Sequence, residues 1–273
     1  MPSSPSLASR GLSRRVLVLG IVNITPDSFS DGGRFLDTER AVAHGLALVA
    51  EGADALDIGG ESSRPGAAPV DEAEELRRVL PVIGGLRASG VPLSIDTRKA
   101  SVARAALAAG ASVVNDIGAL QDPAMRAAVR EAGAEAVLMH MQGEPGTMQK
   151  DPRYGDVVKE VGEFLLARAH DAEASGIPCT RLILDPGLGF GKRLAHNLAI
   201  LRRLPELVAL GYPVLVGPSR KAFLGEILAL PVEDRLEGTA AAVACAVRGG
   251  AAVVRVHDVK AMARVARVAE AIR

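Results

Sequence analysis

The chain has 273 residues, 48% of them apolar but only 3% aromatic and none Trp. That composition supports a large core of Val, Leu, Ile and Ala, in two small domains or in one α/β barrel, which takes about 250 residues. With 32 basic and 32 acidic residues no broad field favours nucleic acid or an anionic membrane, and no apolar run reaches the ~18 residues of a membrane span.

Residues 1–14 are rich in Ser and Pro, and no apolar stretch precedes Arg10, Arg14 and Arg15. This does not read as a secretory signal, so a flexible segment ahead of one domain over residues 15–273 is expected, in the cytoplasm. Cys179 and Cys245 lie far apart and outside any C-x-x-C or zinc spacing. They are expected to be small buried hydrophobes in a reducing compartment.

Apolar runs predict strands at Val16–Val22, Ala55–Ile58, Pro92–Ile95, Ser112–Val114, Ala136–His140, Leu182–Leu184, Pro213–Val216 and Ala252–Val256. Each is nearly continuous, as parallel strands covered on both faces require. Helices are predicted between them at Thr38–Glu51, Glu72–Ala88, Lys99–Ala109, Pro123–Glu131, Tyr154–Ser175, Leu198–Leu210, Arg235–Arg248 and Val259–Ile272. Gly52, Gly90, Gly110, Gly133, Gly176, Gly211 and Gly249 stand where these helices end. Eight β/α units without a composition break predict a single-domain α/β fold, the (β/α)8 or TIM barrel. An open doubly wound sheet is the alternative. Its dinucleotide fingerprint is missing, because Gly187-Leu-Gly-Phe-Gly-Lys192 fails the G-x-G-x-x-G spacing.

In such barrels the chemistry sits at the carboxyl ends of the strands, and here each predicted strand ends in polar residues. The first runs into Asn23 and a loop carrying Asp27, Phe29 and Asp31. The second passes through Asp57 into Gly59-Gly-Glu-Ser-Ser-Arg-Pro-Gly66. The third ends in Asp96-Thr-Arg98, the fourth in Asn115-Asp116 and the fifth at His140. The sixth ends in Asp185-Pro-Gly187, the seventh in Gly217-Pro-Ser-Arg-Lys221 and the eighth in Arg255-Val-His-Asp258. Taken singly, an Asp or Asn after a strand is often a cap or turn residue, and Thr97 and Asp116 fit that role. Taken together, Asp96, Asn115 and Asp185 offer acceptors and an amide suited to a ligand edge rich in N–H groups, such as a 2-amino-pyrimidinone. Lys221 adds a donor. Arg255, His257, Ser219 and Arg220 follow strands seven and eight, where barrels commonly bind phosphate. The amide oxygen of Asn23 suits Mg²⁺, which takes few protein ligands.

In order along nearly the whole chain, these motifs, with Leu138-Met-His-Met141, resemble those of the dihydropteroate synthases. The resemblance implies condensation of 6-hydroxymethyl-7,8-dihydropterin pyrophosphate with 4-aminobenzoate. It implies pterin contacts at Asp96, Asn115, Ile117, Met139, Asp185, Phe190, Gly217, Lys221 and Arg255. It implies pyrophosphate contacts at Asn23, Ser63, Arg255 and His257, with Mg²⁺ on Asn23, and 4-aminobenzoate contacts at Phe29, Arg64, Pro65, Ser219 and Lys221. Ser63 stands where Thr is common in the family, and Leu188 where an aromatic is common. A homodimer through the last helices fits the resemblance.

The implied reaction needs no strong base, because the arylamine is already neutral near pH 7. Its difficulty is breaking the C–O bond to pyrophosphate, so Lys221, Arg255 and His257 are the expected catalytic groups. Asp31 is the candidate carboxylate facing the developing cation. The alternatives are a pterin-binding methyltransferase, a non-catalytic pterin-binding paralogue, and a Schiff-base aldolase using Lys221.

Overall fold

Residues two apart on a strand share a face, and that rule sorts the strands of this chain into an inner and an outer set. The computed structural model describes residues 7, 15–24, 34–62 and 69–273. Its strands are β1 (Leu17–Asn23), β2 (Ala55–Gly59), β3 (Leu93–Asp96), β4 (Val113–Asp116), β5 (Glu135–Met139), β6 (Leu182–Asp185), β7 (Leu215–Val216) and β8 (Val253–Val256). All pair in parallel, in the order β6-β5-β4-β3-β2-β1-β8-β7. A parallel bridge from Leu184 to Val214, with Leu184 N–H donating to Pro213 O at 2.9 Å, joins the two ends and closes the barrel.

The inner set is Leu17, Leu19, Ala55, Val113, Val137, Ile183, Leu215 and Val253, which pack together inside the barrel. Leu7, 1% exposed, packs with them. The outer set, including Val18, Leu56, Ile58, Ile95, Val114, Leu138, Leu184 and Val254, packs in the larger core between barrel and helices.

The helices are α1 (Arg34–Ala50), α2 (Glu72–Leu86), α3 (Ala100–Ala109), α4 (Pro123–Ala132), α5 (Val157–Ala174), α6 (Leu194–Arg202), α7 (Leu204–Val208), α8 (Ala222–Leu228), α9 (Leu236–Arg248) and α10 (Val259–Ile272). Asp71, Asp122 and Asp156 cap α2, α4 and α5 by accepting backbone N–H groups of the first turn. The predicted helix Leu198–Leu210 is instead divided into α6 and α7. Pro205, in the first turn of α7, has no N–H to donate and would crowd the carbonyl four residues back. Helix α8 was not expected from the sequence. At the end of α9 the left-handed residue is Gly250 (φ 96°), while Gly249 stays right-handed.

The expectation for the cysteines fails. Cys179 and Cys245 are both exposed rather than buried. Cys179 lies on a short 3-10 turn and Cys245 on the solvent side of α9. Among the described residues no helix is long and apolar enough to cross a membrane.

Candidate active site

On five of the strands the inner face turns charged or amide-bearing toward the carboxyl end. Ala55 is followed by Asp57, Ser94 by Asp96, Val113 by Asn115, Ile183 by Asp185 and Val253 by Arg255. The parallel register sets Asp96 directly beside Asn115, and Asp57 beside Ser94, one layer deeper.

Asp57 organises this cluster from below. It is fully buried, and its Oδ2 accepts from Asn115 Nδ2 at 2.9 Å and from Arg255 Nε at 2.5 Å. Arg255 Nη2 also donates to Asp96 Oδ2 at 2.7 Å, so one guanidinium joins two carboxylates. Burial, reinforced by the charges of Asp57 and Glu75 and opposed by Arg255, pushes the Asp96 carboxyl up to about 7. Burial works against the Arg255 charge, and Asp57 and Asp96 outweigh it, so its pKa is raised. Asp57 was not expected as a site residue. The signal was present as a charge inside the apolar run Ala55–Ile58, where a buried charge needs a partner.

Three strands round the barrel, Asp185 is buried and accepts from Gly187 N–H at 2.7 Å. Burial raises its pKa, opposed by that hydrogen bond and by the charges of Lys221 and Arg255. Lys221 Nζ stands 4.1 Å from the centroid of the Phe190 ring, a cation–π geometry. Ile117 and Met139 are buried at the ends of β4 and β5, and Gly217 follows β7 beside the base of the Arg255 side chain.

Arg220, in a left-handed conformation (φ 56°) beside Lys221, is held by a two-pronged pair with Asp258 at 2.6 and 3.0 Å. Thr239 Oγ1 accepts its N–H at 3.1 Å. Its charge is therefore already matched, unlike the open anion contact its sequence position suggested. Ser219 Oγ accepts from His257 N–H at 3.1 Å and lies 2.9 Å from His257 Nδ1. A hydroxyl proton donated to Nδ1 would leave Nε2 as the N–H donor of the neutral ring, whereas the other tautomer donates from Nδ1 to Oγ.

Asn23 ends β1, half-buried and in register with Gly59. Among the described residues no group of three or more His, Cys, Asp or Glu is placed to hold a metal. A single hard amide oxygen fits Mg²⁺ whose other ligands are water and substrate oxygens.

Thr97 and Asp116 have local roles. Thr97 Oγ1 accepts from Lys99 N–H, and Asp116 accepts from Gly118 and Leu120 N–H. His140 lies in the outer phase, against Phe164 and Tyr154, and so belongs to the wall rather than the mouth. Phe29, Asp31, Ser63, Arg64 and Pro65 lie outside the described residues.

A closed parallel barrel with buried carboxylates, an amide, Lys221 and Arg255 at the carboxyl ends of its strands is the plan of a barrel enzyme acting on a polar small molecule. Residues 19–257 match the model of the pterin binding enzymes. A dihydropteroate synthase of Synechocystis sp. is 48% identical over 262 residues, 95% of this chain and 91% of that protein. The solved structure of Xanthomonas albilineans dihydropteroate synthase with 4-aminobenzoic acid is 51% identical, with a TM-score of 0.89 over 94% of this chain and 93% of that one. The same enzyme in complex with 7,8-dihydropteroate gives 49% identity and a TM-score of 0.86 over 94% of each chain. The chain belongs to the dihydropteroate synthase family of pterin-binding enzymes.

Proposed function

We propose that this chain joins 6-hydroxymethyl-7,8-dihydropterin pyrophosphate to 4-aminobenzoate, forming 7,8-dihydropteroate and releasing pyrophosphate. The observation that carries this reading is the placement of Asp96 beside Asn115, with Asp185 three strands away and Lys221 over Phe190. That set offers acceptors to an edge of N–H donors and a flat wall for a ring. The Xanthomonas albilineans relatives, whose structures hold 4-aminobenzoic acid and 7,8-dihydropteroate, support the same substrate and product here.

The reaction breaks the C–O bond between the pterin methylene and pyrophosphate, and the bonding pair leaves with the phosphate oxygen. The arylamine lone pair then forms the C–N bond, and the nitrogen gives up one proton. Asp96 and Asp185, as carboxylates, favour the pterin as it becomes cationic. Arg255 and His257 stabilise the departing pyrophosphate, as preorganised donors do where charge develops. Ser63 adds a hydroxyl on the pyrophosphate side. By the family resemblance Phe29, Arg64, Pro65 and Ser219 are assigned to 4-aminobenzoate, and Asp31 is the candidate carboxylate for the developing cation. Asn23 would hold Mg²⁺, which would supply positive charge to the pyrophosphate leaving group. Excluding water prevents capture of the cation as the hydroxymethylpterin.

We also infer a cytoplasmic homodimer. Ile227, Leu228, Leu230 and Leu236, together with Val268 and Ile272 on α10, are large exposed apolar side chains that a second copy would cover. Sedimentation velocity should give one species of twice the chain mass, and a monomer at micromolar concentration would remove the dimer.

The function is tested by incubating the protein with both substrates and Mg²⁺ and measuring dihydropteroate by chromatography. Formation of product is expected. Bound pterin without product would leave a non-catalytic binding protein. Reductive trapping of Lys221 by borohydride with a carbonyl substrate would indicate the aldolase instead.

A further inference from the structure

The segment between β6 and α6 is held by more side chains than the chemistry above uses. Gln149 Nε2 donates to Gly189 O, Lys192 Nζ to Phe190 O at 3.0 Å and Tyr154 OH to Gly191 O at 2.8 Å. Gly189 N–H in turn donates to Asn197 Oδ1 at 2.8 Å. Three consecutive carbonyls are thus each gripped by a different side chain. The segment is also pressed against the exit of β5. A Cβ at Gly187 would lie 2.0 Å from His140 O, and one at Gly191 would lie 2.4 Å from Gln142 O. Both glycines have positive φ, so neither position accepts a side chain without moving the backbone.

Lys192 is the unusual member. It is 3% exposed and reaches His140 Nδ1 at 2.9 Å and His140 O at 3.3 Å. Among the described residues no carboxylate hydrogen-bonds to it. Burial, opposed by the charge of Asp185, lowers its pKa to about 7. Burial and the nearby Lys192 hold the His140 pKa down to about 3, so the ring is neutral and Nδ1 serves as an acceptor. The ring stands edge-on to Phe164, with centroids 4.9 Å apart. A buried amine on carbonyls and an imidazole is a costly arrangement, and one of those carbonyls belongs to Phe190. The Phe190 ring in turn faces Lys221 Nζ, and the Lys221 stem crosses Gly189.

We propose that Lys192, with His140 as its acceptor, is a positioning residue that fixes the Gly189–Gly191 backbone so that Phe190 stays under Lys221, and thereby sets the affinity for the pterin ring. This rests on the reading of Phe190 and Lys221 as pterin contacts. Lys192 does not touch the substrate; it acts through Phe190.

The test is Lys192→Met, which keeps the stem and deletes the donor, read in two ways. Amide hydrogen exchange over residues 186–193 should speed up about tenfold or more, with the β1–β4 strands unchanged, as expected when a buried hydrogen bond is lost. The Kd for 6-hydroxymethylpterin, which lacks the pyrophosphate, should rise about tenfold while that for inorganic pyrophosphate stays within about twofold. Unchanged exchange overturns the clamp. Faster exchange with unchanged pterin affinity overturns its role in binding. If the unaltered protein binds no pterin, the proposed function fails and the affinity role falls with it, while the exchange result still decides the clamp. Should Lys192→Met not fold, Tyr154→Phe removes only the hydroxyl on Gly191 O. It should show the same split at about threefold, and no change there overturns the proposal.

Discussion

Asp57 and Arg255 are 198 residues apart in sequence and 2.5 Å apart in space. The carboxylate that receives Arg255 Nε on Oδ2 also receives Asn115 Nδ2 on the same oxygen. One buried side chain therefore orients an amide and a guanidinium that the proposed reaction uses separately. Asp57 is predicted to matter as much as the residues it orients. Asp57→Ala leaves Arg255 with one partner fewer in a buried setting and should destabilise the fold by about 3–5 kcal/mol. Asp57→Asn keeps the shape, and its kcat/KM should still fall by roughly 10²-fold, since breaking one member of a buried charge pair typically loses about 3 kcal/mol. Thermal unfolding and steady-state kinetics check both, and an active, stable Asp57→Ala would contradict the role.

Arg255→Ala should lower kcat by about 10²–10³-fold, the range for removing a donor aimed at developing charge. Less than tenfold would contradict its leaving-group role. Arg255→Lys keeps the charge but loses the fork that spans Asp57 and Asp96, so it should recover only part of the activity.

Asp96 gives the pH dependence a direction. Its folded pKa of about 7 lies above the ordinary 3.8. As pH falls, the folded protein takes up this proton before the unfolded chain does. The stability it contributes is full below pH 3.8 and is lost as pH rises through about 7. Activity runs the opposite way, because protonation removes an acceptor for the pterin edge. The kcat/KM for the pterin substrate should fall about tenfold per pH unit below pH 7, and Asp96→Asn should lack that limb. A profile for the unaltered enzyme that is flat between about pH 5.5 and 7.5 would contradict the assignment.

Asn23 is predicted to set the Mg²⁺ requirement. Chelation should abolish turnover of the pyrophosphate substrate while 6-hydroxymethylpterin still binds. Asn23→Ala should raise the Mg²⁺ concentration for half-maximal rate about tenfold, the loss expected for one oxygen ligand among several. An unchanged requirement would place the metal elsewhere.

Much of this architecture was legible in the sequence, because a buried parallel strand is a short apolar run and its inner phase can be followed to its polar end. Asp96, Asn115, Asp185 and Arg255 were legible for that reason. Asp57 was not singled out, since a single carboxylate inside an apolar run looks like an interruption until Arg255 is brought to it. The Lys192–His140 contact joins residues 52 apart, and their spacing shows no periodicity. The division of α6 from α7 at Pro205 and the exposure of Cys245 on α9 depend on which helix face meets the barrel. Phe29, Asp31, Ser63, Arg64 and Pro65 lie outside the described residues, so their roles rest on the family resemblance.

The central claim is most directly tested by counting pyrophosphate and dihydropteroate in the same reaction, with and without 4-aminobenzoate. The account predicts equal amounts of the two products when the arylamine is present, and little pyrophosphate when it is absent. Pyrophosphate released without matching dihydropteroate, or no turnover by a protein that binds both substrates, would contradict it.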